Sequence, residues 1–72
     1  MKLFLTSKYK GRTFRVVNNY VTGLSEGIVV RVLDCEGYGN DGDPFFNVHN
    51  PKVQGVMLSW LEDKTIMKEI RK

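Results

Sequence analysis

The chain has 72 residues, of which 42% are hydrophobic and 26% are charged, and its net charge is +3. This length allows one small domain with a thin core, and the apolar share excludes a disordered chain. The lone cysteine excludes an internal disulfide and a multi-cysteine zinc site, which favours a cytoplasmic setting. No apolar run approaches the roughly 18 residues of a membrane span, so we expect no membrane association.

The chain begins with a short apolar segment, Lys2–Thr6, which is followed by a polar turn. We expect residues 1–10 to form an N-terminal strand or a lead-in to the domain. Polar and apolar residues then alternate in Arg12–Asn18 as in a half-buried strand, which predicts that Phe14 and Val16 face the core.

The clearest strand in the sequence is Ile28–Asp34, which follows a loop rich in asparagine and glycine at Asn18–Gly27. Apolar residues occupy both of its faces, which predicts a strand packed on two sides. Arg31, between valines, is interpreted as lying along the surface of the domain. The next segment, Cys35–Pro44, contains three glycines and three acids and predicts a long loop.

Three further segments complete the predicted sheet. Phe45–His49 is rich in aromatic and β-branched residues, and a turn at Asn50–Gly55 separates it from a strand at Val56–Trp60. For the C-terminal segment we favour a tight turn and then a last strand at Thr65–Ile70, with Ile66 and Ile70 facing inward. The alternative is a C-terminal helix. Five short strands without a long helix predict a small all-β barrel, whose closure leaves no exposed edge.

The order of these segments resembles that of the SH3-like barrels. Leu24–Val32 matches the L-x-x-G-x-x-x-x-V element that opens the second strand in that family. Phe45-Phe46 matches the aromatic position after its acidic loop, and Gly55 matches the glycine before its fourth strand. The similarity covers Gly11–Ile70 and implies a five-stranded barrel with a short helical turn before the last strand. It bears on the fold rather than on the function.

Peptide-binding SH3 domains carry tyrosines that grip proline-rich ligands, and these are absent from the corresponding segments, Thr13–Val17 and Ser59–Lys64. A proline-rich ligand is therefore not expected. The glycine–valine pattern of the central strand is also similar to the KOW motif of ribosomal and transcription-elongation proteins. Compact barrels of this kind also occur as bacterial or bacteriophage accessory proteins, which this short, lysine-rich chain resembles.

The residues that could carry chemistry form no catalytic or metal-binding pattern. His49 is the only histidine, and Cys35 lies between two acids whose charges disfavour a thiolate. The oxygen-rich segment Asn40–Asp43 lacks the length and the final glutamate of an EF-hand-type calcium loop. We therefore expect neither an enzyme nor a site for a metal or cofactor.

We expect instead an accessory module that binds another protein, as an adaptor or an inhibitor of a host or cognate complex. Adjacent strand residues face opposite sides, so one of Phe45 and Phe46 must point away from the core. Exposed aromatic residues beside a loop form a suitable surface for a protein partner. The predicted protein-binding residues are Tyr20, Tyr38, Phe45 and Trp60.

The alternative is a small barrel that binds nucleic acid. Lysine and arginine crowd both ends of the chain, and if the termini lie side by side these residues form one basic face. The predicted residues of this face are Lys8, Lys10, Arg12, Arg15, Lys68 and Arg71. We expect a monomer or, if the Lys2–Thr6 edge remains uncovered, a weak homodimer.

Overall fold

A computed structural model describes residues 2–39 and 42–71, with side chains from residue 4 onward. The described elements are α1 (Lys2–Tyr9), β1 (Thr13–Val16), α2 (Asn19–Thr22), β2 (Val29–Tyr38), β3 (Pro44–His49), β4 (Val56–Met57), α3 (Leu58–Glu62) and β5 (Met67–Ile70). The strands form one antiparallel sheet in the order β4-β3-β2-β1-β5. The predicted all-β class is confirmed, and the sheet is consistent with a small SH3-like fold.

The N-terminal segment is a helix, so of the two alternatives predicted for it, a strand or a lead-in, the strand is wrong. Leu5 and Tyr9 are four residues apart, which places both side chains on one face of α1, where they are buried. The ring centroid of Tyr9 lies 6.3 Å from that of Phe14 and 5.4 Å from that of Phe46. The helix therefore covers the inner face of the sheet, and the homodimer contact proposed for this segment has no strand edge to use.

The hydrophobic core lies on the inner face of the sheet. The buried side chains of the three central strands are Phe14, Val16, Val30, Val32, Cys35, Phe46 and Val48. This confirms the inward orientation predicted for β1. The outer face of β2 is open, since Val29 and Leu33 are 44% and 38% exposed, so the prediction of a strand packed on two sides is wrong. The side chains that α1 and α3 bury pack into this same inner core.

β2 extends to Tyr38 and takes in the first part of the predicted Cys35–Pro44 loop. Its pairing with β3 contains two register shifts, one between Val32 and Asp34 and one between Cys35 and Gly37. Such bulges accommodate extra and polar residues without ending a strand, so a glycine-containing segment remains paired. The N–H of Cys35 donates to the hydroxyl of Thr6 at 2.9 Å, which also ties this segment to α1.

The C-terminal segment confirms the predicted last strand rather than the alternative helix. The strand predicted for Val56–Trp60 is shorter than expected, because the chain enters the short helix α3 after Met57. In β5, Met67 is buried and Ile70 is 42% exposed, so the inward orientation predicted for Ile70 is wrong. The reason is the register, which pairs Met67 with the buried Val16 of β1.

Candidate functional site

Arg12 joins the N-terminal helix to the first and last strands. Its guanidinium donates from Nε and Nη2 to the two carboxylate oxygens of Glu69, each at 2.7 Å, and from Nη1 to the carbonyl oxygen of Lys8 at 3.3 Å. Its Cζ atom also lies 4.8 Å from the ring centroid of Tyr9. Arg71 donates to the same carboxylate at 3.2 Å. Arg12 and Arg71, both predicted to contact nucleic acid, are thus engaged in an intramolecular ion-pair network.

Hydrogen bonds from Arg12 lower the pKa of the Glu69 carboxyl from 4.5 to about 2, although burial acts in the opposite direction. The ion pair therefore contributes its full stability above the unfolded-state pKa of 4.5. That contribution is lost as the pH falls from 4.5 toward about 2, because the carboxyl becomes protonated in the folded state as well.

We expect the free energy of unfolding of a Glu69→Gln variant to be about 1–2 kcal/mol lower than that of the wild-type protein at neutral pH. The reason is that a neutral amide replaces the carboxylate of a charge-assisted bidentate pair. The difference should shrink between about pH 5 and about pH 2, where the wild type loses the same pair by protonation. Urea unfolding of both proteins across this pH range measures the effect. If the difference in unfolding free energy between the two proteins stays constant with pH, the Arg12–Glu69 ion pair is not its source.

The outer face of the sheet carries three cations on neighbouring strands, and we call Arg15, Arg31 and Lys68 the cationic patch. Arg15 of β1 lies directly opposite Lys68 of β5, and both side chains are exposed. Arg31 of β2 pairs with Thr13, two residues before Arg15, so the two arginines are diagonal neighbours. Like charges directly opposite each other destabilise a sheet. Within residues 2–39 and 42–71, none of the three cations forms an ion pair.

The acids near the cationic patch along the chain do not neutralise it. Glu69 follows Lys68 but is bound by Arg12 and Arg71. Asp34 lies beyond Arg31 on β2 and accepts a hydrogen bond from the side-chain amide of Asn47 at 2.9 Å. Glu26 lines a shallow hollow together with Arg15 but does not reach ion-pair distance from it. The outer face is therefore positively charged where β2, β1 and β5 run side by side.

The structure separates the predicted basic residues into groups. Pairing of β1 with β5 brings the two basic ends of the chain together, as the nucleic-acid hypothesis required. Lys8 lies on α1, with its Nζ atom 5.4 Å from the ring centroid of Tyr9, and so belongs to the inner side of the sheet. Lys10 is exposed in the turn after α1. Arg31 was missing from the predicted set, although its outward position in the alternating pattern of β2 was a usable signal.

Two of the four predicted protein-binding aromatic residues lie on opposite faces of the sheet. Phe45 pairs with Gly37 and Tyr38 pairs with Pro44, so strand alternation puts Phe45 and Tyr38 on opposite faces of the sheet. Tyr38 is 54% exposed, whereas the ring of Phe45 is half-buried over Gly55.

The other two aromatic residues of this set lie on the short helices α3 and α2. Trp60 of α3 is half-buried and packs against the core. Tyr20 is 95% exposed in α2, which precedes the start of β2, whereas Tyr38 lies at the end of that strand. Asn18 begins α2 by accepting hydrogen bonds from the N–H groups of Tyr20 and Val21, and both side chains are exposed.

Cys35 and His49 lie on opposite faces of the sheet. Cys35 is buried opposite Phe46, and His49 is exposed opposite Arg31. In the described part of the chain, no three His, Cys, Asp or Glu side chains are grouped so that they could hold a metal ion. Asn40 and Asp41, from the segment considered as a calcium loop, lie outside the described residues.

Comparisons of the chain with known proteins do not indicate a function, so a functional proposal depends on the geometry of the described residues. No helix among the described residues has the length and apolar character needed to cross a membrane. The chain matches no protein-family model, no curated protein and no solved structure.

Proposed function

We propose that this protein is a non-catalytic module that binds nucleic acid through the cationic patch. The supporting observation is the pairing of β1 with β5, which sets Arg15 opposite Lys68 and diagonal to Arg31 with no ion pair among the described residues. Phosphate groups would neutralise charges that otherwise repel one another, so binding would remove a repulsion that destabilises the folded protein.

The dimensions of the cationic patch suit a nucleic-acid backbone. Its three residues lie on three adjacent strands, and with about 4.8 Å between neighbouring strands the patch is about 10 Å wide. Each of its three cations can meet one phosphate of a single nucleic-acid strand, so we expect about three phosphate contacts. Its neighbours Thr13, Val29 and Ile70 carry no ring, and the exposed imidazole of His49, opposite Arg31, can stack on a base without selecting its identity. Binding is therefore expected to depend on the backbone rather than on base sequence.

Nucleic-acid binding has more structural support than protein binding through the exposed aromatic residues. The protein-binding hypothesis relies on four aromatic residues, of which Phe45 and Tyr38 lie on opposite faces of the sheet. The nucleic-acid hypothesis required the basic ends of the chain to meet, and β1 and β5 pair along four residues of each strand. Arg12 and Arg71 leave the proposed contact set because Glu69 already binds them, and Arg31 joins it.

The proposal is tested by fluorescence anisotropy with a labelled single-stranded oligonucleotide of mixed sequence. Three phosphate contacts predict that log K falls with log[salt] with a slope of about −2, which is a roughly 20-fold loss of affinity between 50 and 200 mM salt. Arg15→Gln and Arg31→Gln should each weaken binding and reduce that slope by about 0.7. Both residues are exposed, so circular dichroism should show an unchanged fold.

Lys8→Gln is the matched control, because it removes one exposed positive charge from the other side of the sheet. It should leave the slope unchanged and affect affinity only through net charge. Absence of binding at low salt would overturn the proposal. An equal effect of all three substitutions would also overturn it, since that result would indicate attraction by net charge without a defined surface.

A further inference from the structure

A groove of about 510 Å³ lies between α3 and β5, beside the edge of the sheet. Its floor is apolar and is formed by Phe14, Leu61 and Met67, which are all buried members of the core. Charged side chains form its rim. A groove with an apolar floor and a charged rim suits a peptide segment that alternates apolar and charged side chains.

The backbone of β5 has free hydrogen-bonding groups along this groove. β5 is the last strand of the sheet order, with β1 on one side only. The N–H of Val17 donates to Ile66 O, whereas the N–H of Met67 donates to Asp63 O. The C=O of Ile66 faces β1, so by alternation Lys68 and Ile70 direct their backbone groups toward β1, and Glu69 directs its N–H and C=O toward the open edge. No described residue pairs with these two groups of Glu69.

The charges around the groove favour an acidic occupant. The rim contains four cations, Arg12, Lys64, Lys68 and Arg71, and two carboxylates, Glu62 and Glu69. Glu69 is already bound by Arg12 and Arg71, while Lys64 and Lys68 form no ion pair within residues 2–39 and 42–71. The same charges disfavour a second copy of the chain at this edge, because two β5 strands would bring identical cations together.

We propose that an extended acidic segment of a partner protein adds to the free edge of β5 as a sixth strand. Its backbone would pair with the N–H and C=O of Glu69, its apolar side chains would contact the groove floor, and its carboxylates would face Lys64 and Lys68. This activity goes beyond nucleic-acid binding and uses a different surface, with Lys68 at the border between the two.

The probe is an acetylated hexapeptide amide of alternating glutamate and valine, and the readout is amide hydrogen exchange followed by NMR. The peptide should slow exchange at the Glu69 amide by roughly tenfold or more, because a free edge group becomes hydrogen-bonded. A hexapeptide with lysine in place of glutamate should leave this amide unprotected. A peptide with a central proline should also fail, since it cannot complete the ladder.

A Lys64→Gln/Lys68→Gln double variant should bind the acidic peptide about three- to tenfold more weakly, as expected for two exposed ion pairs. Arg15→Gln/Arg31→Gln should bind it unchanged, which separates this proposal from the nucleic-acid surface. The proposal is overturned if the Glu69 amide stays unprotected at saturating peptide. It is equally overturned if the acidic peptide binds through Arg15 and Arg31, or if β5 protection rises with protein concentration alone, as edge-to-edge dimerisation would cause.

Discussion

A Tyr9→Ala variant is expected to lose about 3–5 kcal/mol of unfolding free energy. Small domains have a total of about 5–15 kcal/mol, so this variant should be largely unfolded or close to it. The reason is position: the Tyr9 ring is 4% exposed, contacts the rings of Phe14 and Phe46, and lies under the guanidinium of Arg12. Its removal would leave a cavity between α1 and the sheet that a domain this small has few side chains to fill.

Urea unfolding followed by circular dichroism measures this loss, and Tyr9→Phe is the matched control. The phenylalanine variant keeps every ring contact and should stay within about 1 kcal/mol of the wild type. If the alanine variant were as stable as the phenylalanine variant, α1 would not be an integral part of the core.

A Gly55→Ala variant is expected to lose about 3 kcal/mol, at the upper end of the usual cost of overpacking. A β-carbon at Gly55 would lie 2.5 Å from the carbonyl oxygen of Phe46 and would also collide with the ring of Phe45. The ring can rotate away, but the carbonyl belongs to β3 and can move only with the strand. Pairing between β3 and β4 should therefore loosen, and the exposure of Phe45 should increase.

Gly37→Ala provides the comparison for Gly55→Ala. A β-carbon at Gly37 in β2 would meet no described atom within 4 Å apart from those of its two chain neighbours, so this substitution should change stability by less than about 0.5 kcal/mol. Thermal unfolding of the two variants measures the contrast. Equal effects at both positions would show that the Gly55 cost arises from lost glycine flexibility and not from a steric collision.

The alternation of apolar and polar residues was sufficient to predict the strands that have one buried and one exposed face. β1 alternates between buried and exposed residues, and the predicted inward positions of Phe14 and Val16 are confirmed. β3 shows the same pattern from Phe46 to His49. Local sequence carries this information because a strand that covers a core on one side must alternate along its own length.

The helix α1 and the end of β2 could not be predicted from local patterns. The segment that begins α1 is short and apolar, which is compatible with a strand, and its helical state depends on packing of Leu5 and Tyr9 against a core formed by distant residues. The end of β2 contains glycine and acidic residues that are typical of loops. It remains a strand because β3 pairs with it across two bulges.

The sequence was sufficient to predict that a basic surface exists, but not which cations lie next to one another on it. Clustering of lysine and arginine at both ends of the chain indicated a basic face. Which cations share that face depends on the register between β1 and β5, and register is set by pairing of residues more than fifty positions apart. The same register decided that Arg12 lies beside Glu69 and that Arg15 lies beside Lys68.

The neighbouring positions of β1 and β5 also determine when the fold can be completed. Arg12 and Glu69 are separated by 57 positions in the chain, and closing so long a segment is entropically costly and slows folding. During synthesis, β1, β2 and β3 can pair before β5 exists, but Met67 is then missing from the core. Arg12 would meanwhile lie over the rings of Tyr9 and Phe14 without its carboxylate partner. Folding can therefore finish only after translation has reached the last strand.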